Sequence, residues 1–252
     1  MNAVELYAAA FPADPVFDIA LSHALLADVA AGRRAPALRV FRPGPTAAFG
    51  RLDALRPGFP RACELACERG LTPVLRSVGG HAAVFDERCV VVEHLLREKD
   101  ATAGLQARFE DQSRRVRDAL AALGADARIG ELAGEYCPGP HSVNVGGRVK
   151  VAGIAQRMVR HGAAISAIVV VGGGPDLRAA IEPIYAALEL PVDVATAGAL
   201  DEELPGVTAE EVARRLGQAY DLDAEPRELD AALLDAAREL VPRHRVPLRS
   251  RA

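Results

Sequence analysis

Three short stretches of this chain carry residue types that can do chemistry. The first is Glu135-Tyr136-Cys137-Pro138-Gly139-Pro140-His141, where a cysteine stands among prolines and glycines. Such composition makes a loop, which brings a thiol closer to solvent than a core strand would. A thiol whose thiolate form is stabilised is a nucleophile, and His141, four residues on, is a candidate helper. The second stretch is Lys150-Val151-Ala152-Gly153-Ile154-Ala155-Gln156-Arg157. Of 30 basic residues only Lys99 and Lys150 are lysines, so a compact ammonium on a flexible stem is the exception here. Lys150 lies between two valines and must either snorkel or meet a ligand, and Gly153 leaves room against the backbone. The third is Arg76-Ser77-Val78-Gly79-Gly80-His81-Ala82-Ala83, whose paired glycines let backbone approach a ligand closely.

Each stretch also has a plain structural reading: an idle loop cysteine, a snorkelling lysine, a Gly-Gly turn. Gly172-Gly173-Gly174 reads as a strand exit, and no GxxxxGK[ST] or GxGxxG phosphate loop is present. Cys63 and Cys67, four apart on a predicted helix, and Cys89, opening an apolar strand, are expected to be small core residues; no second Cys or His pair at zinc spacing accompanies them.

The elements around these stretches follow from hydrophobic period and punctuation. Asp14-Pro15 opens a helix that Gly32 stops. Strands are expected at Leu38–Phe41 and Thr46–Gly50, joined by Pro-Gly-Pro, then a helix from Phe59 to Arg69 and a strand at Pro73–Arg76. Ala82–Phe85 and Cys89–Leu95 read as strands, and Leu105 to Leu123 as a long amphipathic helix. Val143–Val145 and Val149–Val159 form a hairpin about Gly146-Gly147, followed by an apolar strand from Ala163 to Val171. Asp176–Leu188, Ala209–Tyr220 and Glu228–Leu240 are helical, and 242–252 is expected to be a flexible basic tail after a helical C-terminal segment at 205–241. Strands in clusters rather than in strict alternation with helices make an α+β fold with a mixed or antiparallel sheet, read as one domain over 1–252.

The net charge of −4 argues against nucleic-acid binding by phosphate neutralisation. No apolar run is long enough to cross a membrane and Met1 to Pro12 has no signal-peptide pattern, so cytoplasmic residence is expected.

Taken together, the Arg76–Ala83 loop, the Tyr-Cys-Pro-Gly loop and Lys-Val-Ala-Gly-Ile-Ala-Gln-Arg resemble the family of lipoate-protein ligases and octanoyl/lipoyl transferases, over roughly Val16 to Pro191. The resemblance implies a class II biotin/lipoate ligase-like catalytic domain. It implies that Cys137 forms an acyl thioester, as in the transferase branch, and that Lys150 contacts the acyl carbonyl. Arg76, Gly79, Gly80, His81, Ala82, Gly153 and Gln156 would then line the acyl pocket. The implied cargo is an octanoyl or lipoyl group, with no further cofactor; ATP and magnesium belong only to the ATP-dependent ligase alternative. Implied partners are lipoyl-domain proteins (the glycine cleavage H protein and 2-oxoacid dehydrogenase acyltransferase subunits) or an acyl carrier protein. Two departures stand out. Val78-Gly79-Gly80-His81 replaces the ligases' Ser-Gly-Gly-Gly, and Arg160-His161-Gly162 looks like the ligases' His-Gly. An acyl-binding protein without turnover, or a hydrolase using Cys137 and His141, are the readings of other classes. A pocket or a ligand is expected to account for the burial of Lys150, so Lys150→Met should impair transfer while barely changing stability.

Overall fold

Asp14 caps the first helix by accepting the Phe17 amide at 3.2 Å, Pro15 occupies its first turn, and Gly32 ends it with a left-handed φ of 76°. In this computed structural model residues 4–221 and 224–247 are described. Along the chain run β1 (Glu5–Tyr7), α1 (Pro15–Ala31), β2 (Ala37–Phe41), β3 (Thr46–Phe49), α2 (Phe59–Cys67), β4 (Thr72–Leu75) and β5 (Ala83–Phe85). Then come β6 (Cys89–Arg97), α3 (Leu105–Ala121), β7 (Ala127–Ile129), β8 (Val143–Val145), β9 (Val149–Val159) and β10 (Gly162–Val170). The chain continues through α4 (Gly174–Ala187), α5 (Leu200–Glu203), α6 (Ala209–Gln218) and α7 (Ala231–His244).

The strands make two sheets. The larger has the order β1-β2-β6-β10-β9-β8-β7, antiparallel except for the β1–β2 pair; the smaller, β4-β3-β5, is parallel on one side and antiparallel on the other. The expected α+β class with a mixed sheet is what forms. The Pro43-Gly44-Pro45 connection does not fold β2 onto β3; it carries the chain from one sheet to the other.

Strand alternation divides the large sheet's two faces. Val90, Val92, Ala167 and Val169 point to the face covered by α3 and α6, where Val116, Leu120, Val212 and Leu216 bury. On the opposite face α1 and α7 meet through Leu21, Leu25, Leu233 and Ala237. The small sheet lies on that same side, packed with α2 and α4 through Phe49, Val74, Ala66, Ile181 and Ile184. Removing one such buried Leu or Ile side chain typically costs about 2–5 kcal/mol.

Sequence reasoning missed β1, β7 and α5, each only three or four residues long. It also placed the start of a free tail too early. Helix α7 runs on through Pro242 to His244, and His244 and Val246 are buried. A proline near the last turn removes only one amide donor, so the helix tolerates it there. The rest of the expected tail, 248–252, lies outside the described residues.

Candidate active site

The loop between β7 and β8 carries Cys137, and a buried carboxylate holds it in shape. Glu135 Oε2 accepts the Leu132 amide at 3.0 Å. Its Oε1 accepts from Ser142 Oγ at 2.5 Å, from the Gly139 amide at 3.3 Å and from Lys150 Nζ at 2.9 Å. Lys150 Nζ also donates to the carbonyls of Tyr136, at 2.9 Å, and Cys137, at 2.8 Å. All three ammonium hydrogens are therefore used, and the two side chains are 1% and 0% exposed. A β-bulge opposite Val143 and Asn144 turns Lys150 towards this loop. The expectation that a pocket or a ligand accounts for the burial of Lys150 does not hold, because Glu135 does. The lysine is one half of a fully buried, hydrogen-bonded ion pair, and that pair, rather than an empty pocket, explains its burial.

Cys137 itself has φ of 42°, in the left-handed region where non-glycine residues are uncommon. The constraint is visible: its amide donates to the Tyr185 hydroxyl at 2.6 Å, and that hydroxyl donates to the Ala82 carbonyl at 2.9 Å. With Lys150 on the carbonyl and Tyr185 on the amide, the Cys137 backbone is gripped from both ends, and its half-buried side chain is left to face the Arg76 loop. Arg76 Nη2 lies 3.4 Å from Sγ and also donates to the His81 carbonyl at 2.5 Å.

Arg76 is buried, its Nε has no partner, and no carboxylate pairs with it among the described residues. A desolvated cation without a counter-ion is costly, and the Cys137 sulfur is the group this guanidinium faces. Gly80 permits the approach. A side-chain carbon there would stand 2.4 Å from Arg76 Nη2 and 2.7 Å from Cys137 Sγ, and its φ is 97°.

Behind the thiol a cleft runs between the two sheets under α1. Ile19, Phe41, Ala48, Val78, Val84, Phe85, Val91, Gly153, Ile154 and Ile168 give it a largely apolar wall, with Cys137, Lys150 and Arg76 at one place and Asp18, Ser22 and Glu93 at another. Burial raises the Asp18 and Glu93 carboxyls, against the pull of Arg39, which ion-pairs with Asp18 at 2.5 Å.

Several expectations for individual residues change. Of the expected pocket residues, Arg76 and Gly153 line the cleft. Gly79 is open to solvent, and Gly80 instead packs beside the thiol. Ala82 contributes its carbonyl to Tyr185. His81 Nδ1 donates to Asp53 Oδ1 at 2.8 Å, leaving Nε2 uncommitted, and Asp53 is fully buried. Gln156 is not in the cleft: strand alternation points it to the α3 face, where it bonds Arg108 and the Leu105 carbonyl.

His141 does not assist the thiol either; it stacks on Phe109 at 5.0 Å. Cys63 and Cys89 are buried as expected, and burial pushes both thiols up to about 12, so they are inert. Cys67 departs from expectation in being exposed. The role of Glu135 was hidden in plain view inside the loop motif, whereas Tyr185 gave no signal, since a tyrosine on an amphipathic helix reads as core.

The family model described as the lipoyl protein ligase A/B catalytic domain matches residues 14–221. An octanoyl-[GcvH]:protein N-octanoyltransferase from Geobacillus kaustophilus is 31% identical over 169 residues, 66% of this chain and 59% of that protein. One of the same name from Exiguobacterium sibiricum is 32% identical over 146 residues, 56% of this chain and 52% of its own length. The matched stretches thus span little more than half of these relatives. A bi-partite lipoate protein ligase from Thermoplasma acidophilum superposes with a TM-score of 0.72 at 19% identity, covering 95% of this chain and 92% of that one. At that identity the likeness is one of fold.

Proposed function

Since the chain belongs to the lipoyl protein ligase A/B catalytic-domain family, we propose that it transfers an octanoyl or lipoyl group from one carrier protein to a lysine of another, through a thioester on Cys137. The observation that carries this reading is the contact of Cys137 Sγ, at an apolar cleft, with a buried Arg76 that has no carboxylate partner among the described residues. ATP-dependent formation of an acyl adenylate would make no use of a gripped thiol. The curated relatives' printed name, an octanoyl-[GcvH] donor, supports an amide-linked donor on the glycine cleavage H protein, with other lipoyl domains as acceptors.

An amide is a poor electrophile, and covalent catalysis divides its exchange into two steps. The Sγ–carbonyl bond forms and the carbon–nitrogen bond to the donor lysine breaks; the thiol's proton leaves on the departing amine. The acceptor lysine then attacks the thioester, its proton returns to sulfur, and a new amide replaces the old. Amide is exchanged for amide, so no nucleotide is needed to drive the reaction. Arg76 holds the thiolate and follows the charge onto the carbonyl oxygen. His81, next to Gly80 and fixed in one tautomer by Asp53, is the imidazole this loop offers for proton transfer. Lys150 acts chiefly as a positioning residue: to touch an acyl carbonyl it would have to release Tyr136 or Cys137. The apolar wall takes the acyl chain, at about 0.8 kcal/mol per buried CH₂.

The test is transfer from octanoylated H protein to an unmodified lipoyl domain, with and without ATP. Equal transfer in both is the expected result; transfer that requires ATP would move the chain to the ligase reading.

A further inference from the structure

Beside the thiol lies a patch of positive charge that the chemistry above does not use. The Gly50 turn packs against the loop over the nucleophile: a side-chain carbon at Gly50 would stand 2.0 Å from the Gly80 carbonyl oxygen, and Gly80 touches Cys137 Sγ. The residues that follow, Arg51, Leu52 and Leu55, are exposed, and Leu52 and Leu55 are 69% and 80% exposed, the most open large apolar side chains among the described residues. Asp53 does not neutralise this turn, because both its oxygens face inward, one to His81 and one to the Gly50 amide.

Arg157 of β9 donates to the carbonyl of Ser77, a cleft residue, and to His23 Nε2. Arg243 of α7 and Arg51 share its neighbourhood. Burial, then the fields of Arg157, His244, Arg243 and Arg51, push His23 down to about 4. None of the three arginines has an ion pair among the described residues, although the chain as a whole carries a net −4. Fifteen other arginines do pair with a carboxylate, among them Arg33, Arg88 and Arg178, whereas these three gather beside the Ser77 end of the cleft without one among the described residues.

The Gly50 end of this rim is one residue layer, Gly80, from the Cys137 sulfur, and Arg157 reaches it through the Ser77 carbonyl, so a carrier that presents a lysine-borne acyl group to Cys137 comes down beside it. An apolar centre with basic flanks fits a surface with apolar contacts and exposed carboxylates. Resting on the transferase reading for the partner's kind, we propose that Arg51, Leu52, Leu55, Arg157 and Arg243 form the docking surface for an acidic face of the acyl-carrying protein domain. The charges steer the carrier and the leucines seat it, while the cleft accepts only the acyl arm.

Binding can be measured apart from chemistry. The probe is fluorescently labelled glycine cleavage H protein, and the readout is its anisotropy with the full chain at low and high salt. Arg51→Glu combined with Arg243→Glu should raise Kd by about tenfold or more at low salt, and the difference should shrink as salt screens the charges. Arg114→Glu, half that charge change placed on α3 across the large sheet, should leave Kd within about twofold. An unchanged Kd in the double variant overturns the proposal, as does an equal rise in Arg114→Glu, which would reduce the effect to net charge. Octanoylation of Cys137 by p-nitrophenyl octanoate reports the transferase reading separately. It should proceed at the wild-type rate in the double variant, and a loss there equal to the loss of binding would place these arginines in the chemistry and overturn a docking role.

Discussion

At the scale of single residues, the central contrast is between the two cations. Lys150 is tied to Glu135 with every donor used, whereas Arg76 reaches the sulfur with a guanidinium nitrogen unpaired. Lys150→Met leaves Glu135 as a buried, uncompensated carboxylate, so it should cost about 3–5 kcal/mol of stability in chemical denaturation. Lys150→Met with Glu135→Gln should recover much of that loss, because no lone charge remains. A Lys150→Met protein as stable as wild type would mean the pair is not buried as described. Arg76→Met should instead leave stability nearly unchanged, or raise it by removing a lone buried charge, while slowing acylation of Cys137 about a hundredfold; stopped-flow acylation by a chromogenic octanoyl ester reads this. The sequence already singled out Cys137, Lys150 and the Arg76 loop. What it could not show was which cation faces the sulfur, since that depends on a β-bulge and on a carboxylate fifteen residues from Lys150.

At the scale of elements, period and punctuation made most of the fold legible. Asp14, Pro15 and Gly32 bounded α1 as caps should, and the Gly146-Gly147 turn marked the β8–β9 hairpin. The short β1 and β7 lacked enough residues to show a period of two, and α7 outran its proline because its far end is pinned by His244. Gln156 was misplaced for a related reason: a motif gives the residue, but the strand decides its face. The Arg76–Ala83 turn is tested by Gly80→Val. Its side chain would meet Arg76 and Cys137 in a left-handed backbone, so both acylation and stability should fall, stability by about 1–3 kcal/mol. A variant that acylates at the wild-type rate would show the turn to be free of the site.

At the scale of the whole molecule, half-buried imidazoles link stability to pH. Burial, reinforced by Arg115, pushes His94 of β6 down to about 4, where its ring lies edge-on to Tyr220. A depressed histidine binds its proton more readily in the unfolded chain, so its neutral form supports the fold above about pH 6.5 and that support drains as pH falls towards 4, by up to about 3 kcal/mol. The raised Asp18 and Glu93 carboxyls pull the other way, since the folded protein binds their protons more readily. His94→Phe isolates the imidazole's share: the variant should gain on wild type in melting temperature between pH 6.5 and 4. A constant difference across that range would contradict the burial of His94.

The proposed transfer chemistry stands or falls on one covalent bond. Incubation of the full chain with octanoylated H protein in the absence of ATP, followed by intact-mass measurement and peptide mapping, should show a single octanoyl adduct on Cys137. Hydroxylamine should remove it and an unmodified lipoyl domain should discharge it. An adduct on Cys67 or any other residue, or efficient acyl transfer by the Cys137→Ala protein, would contradict it.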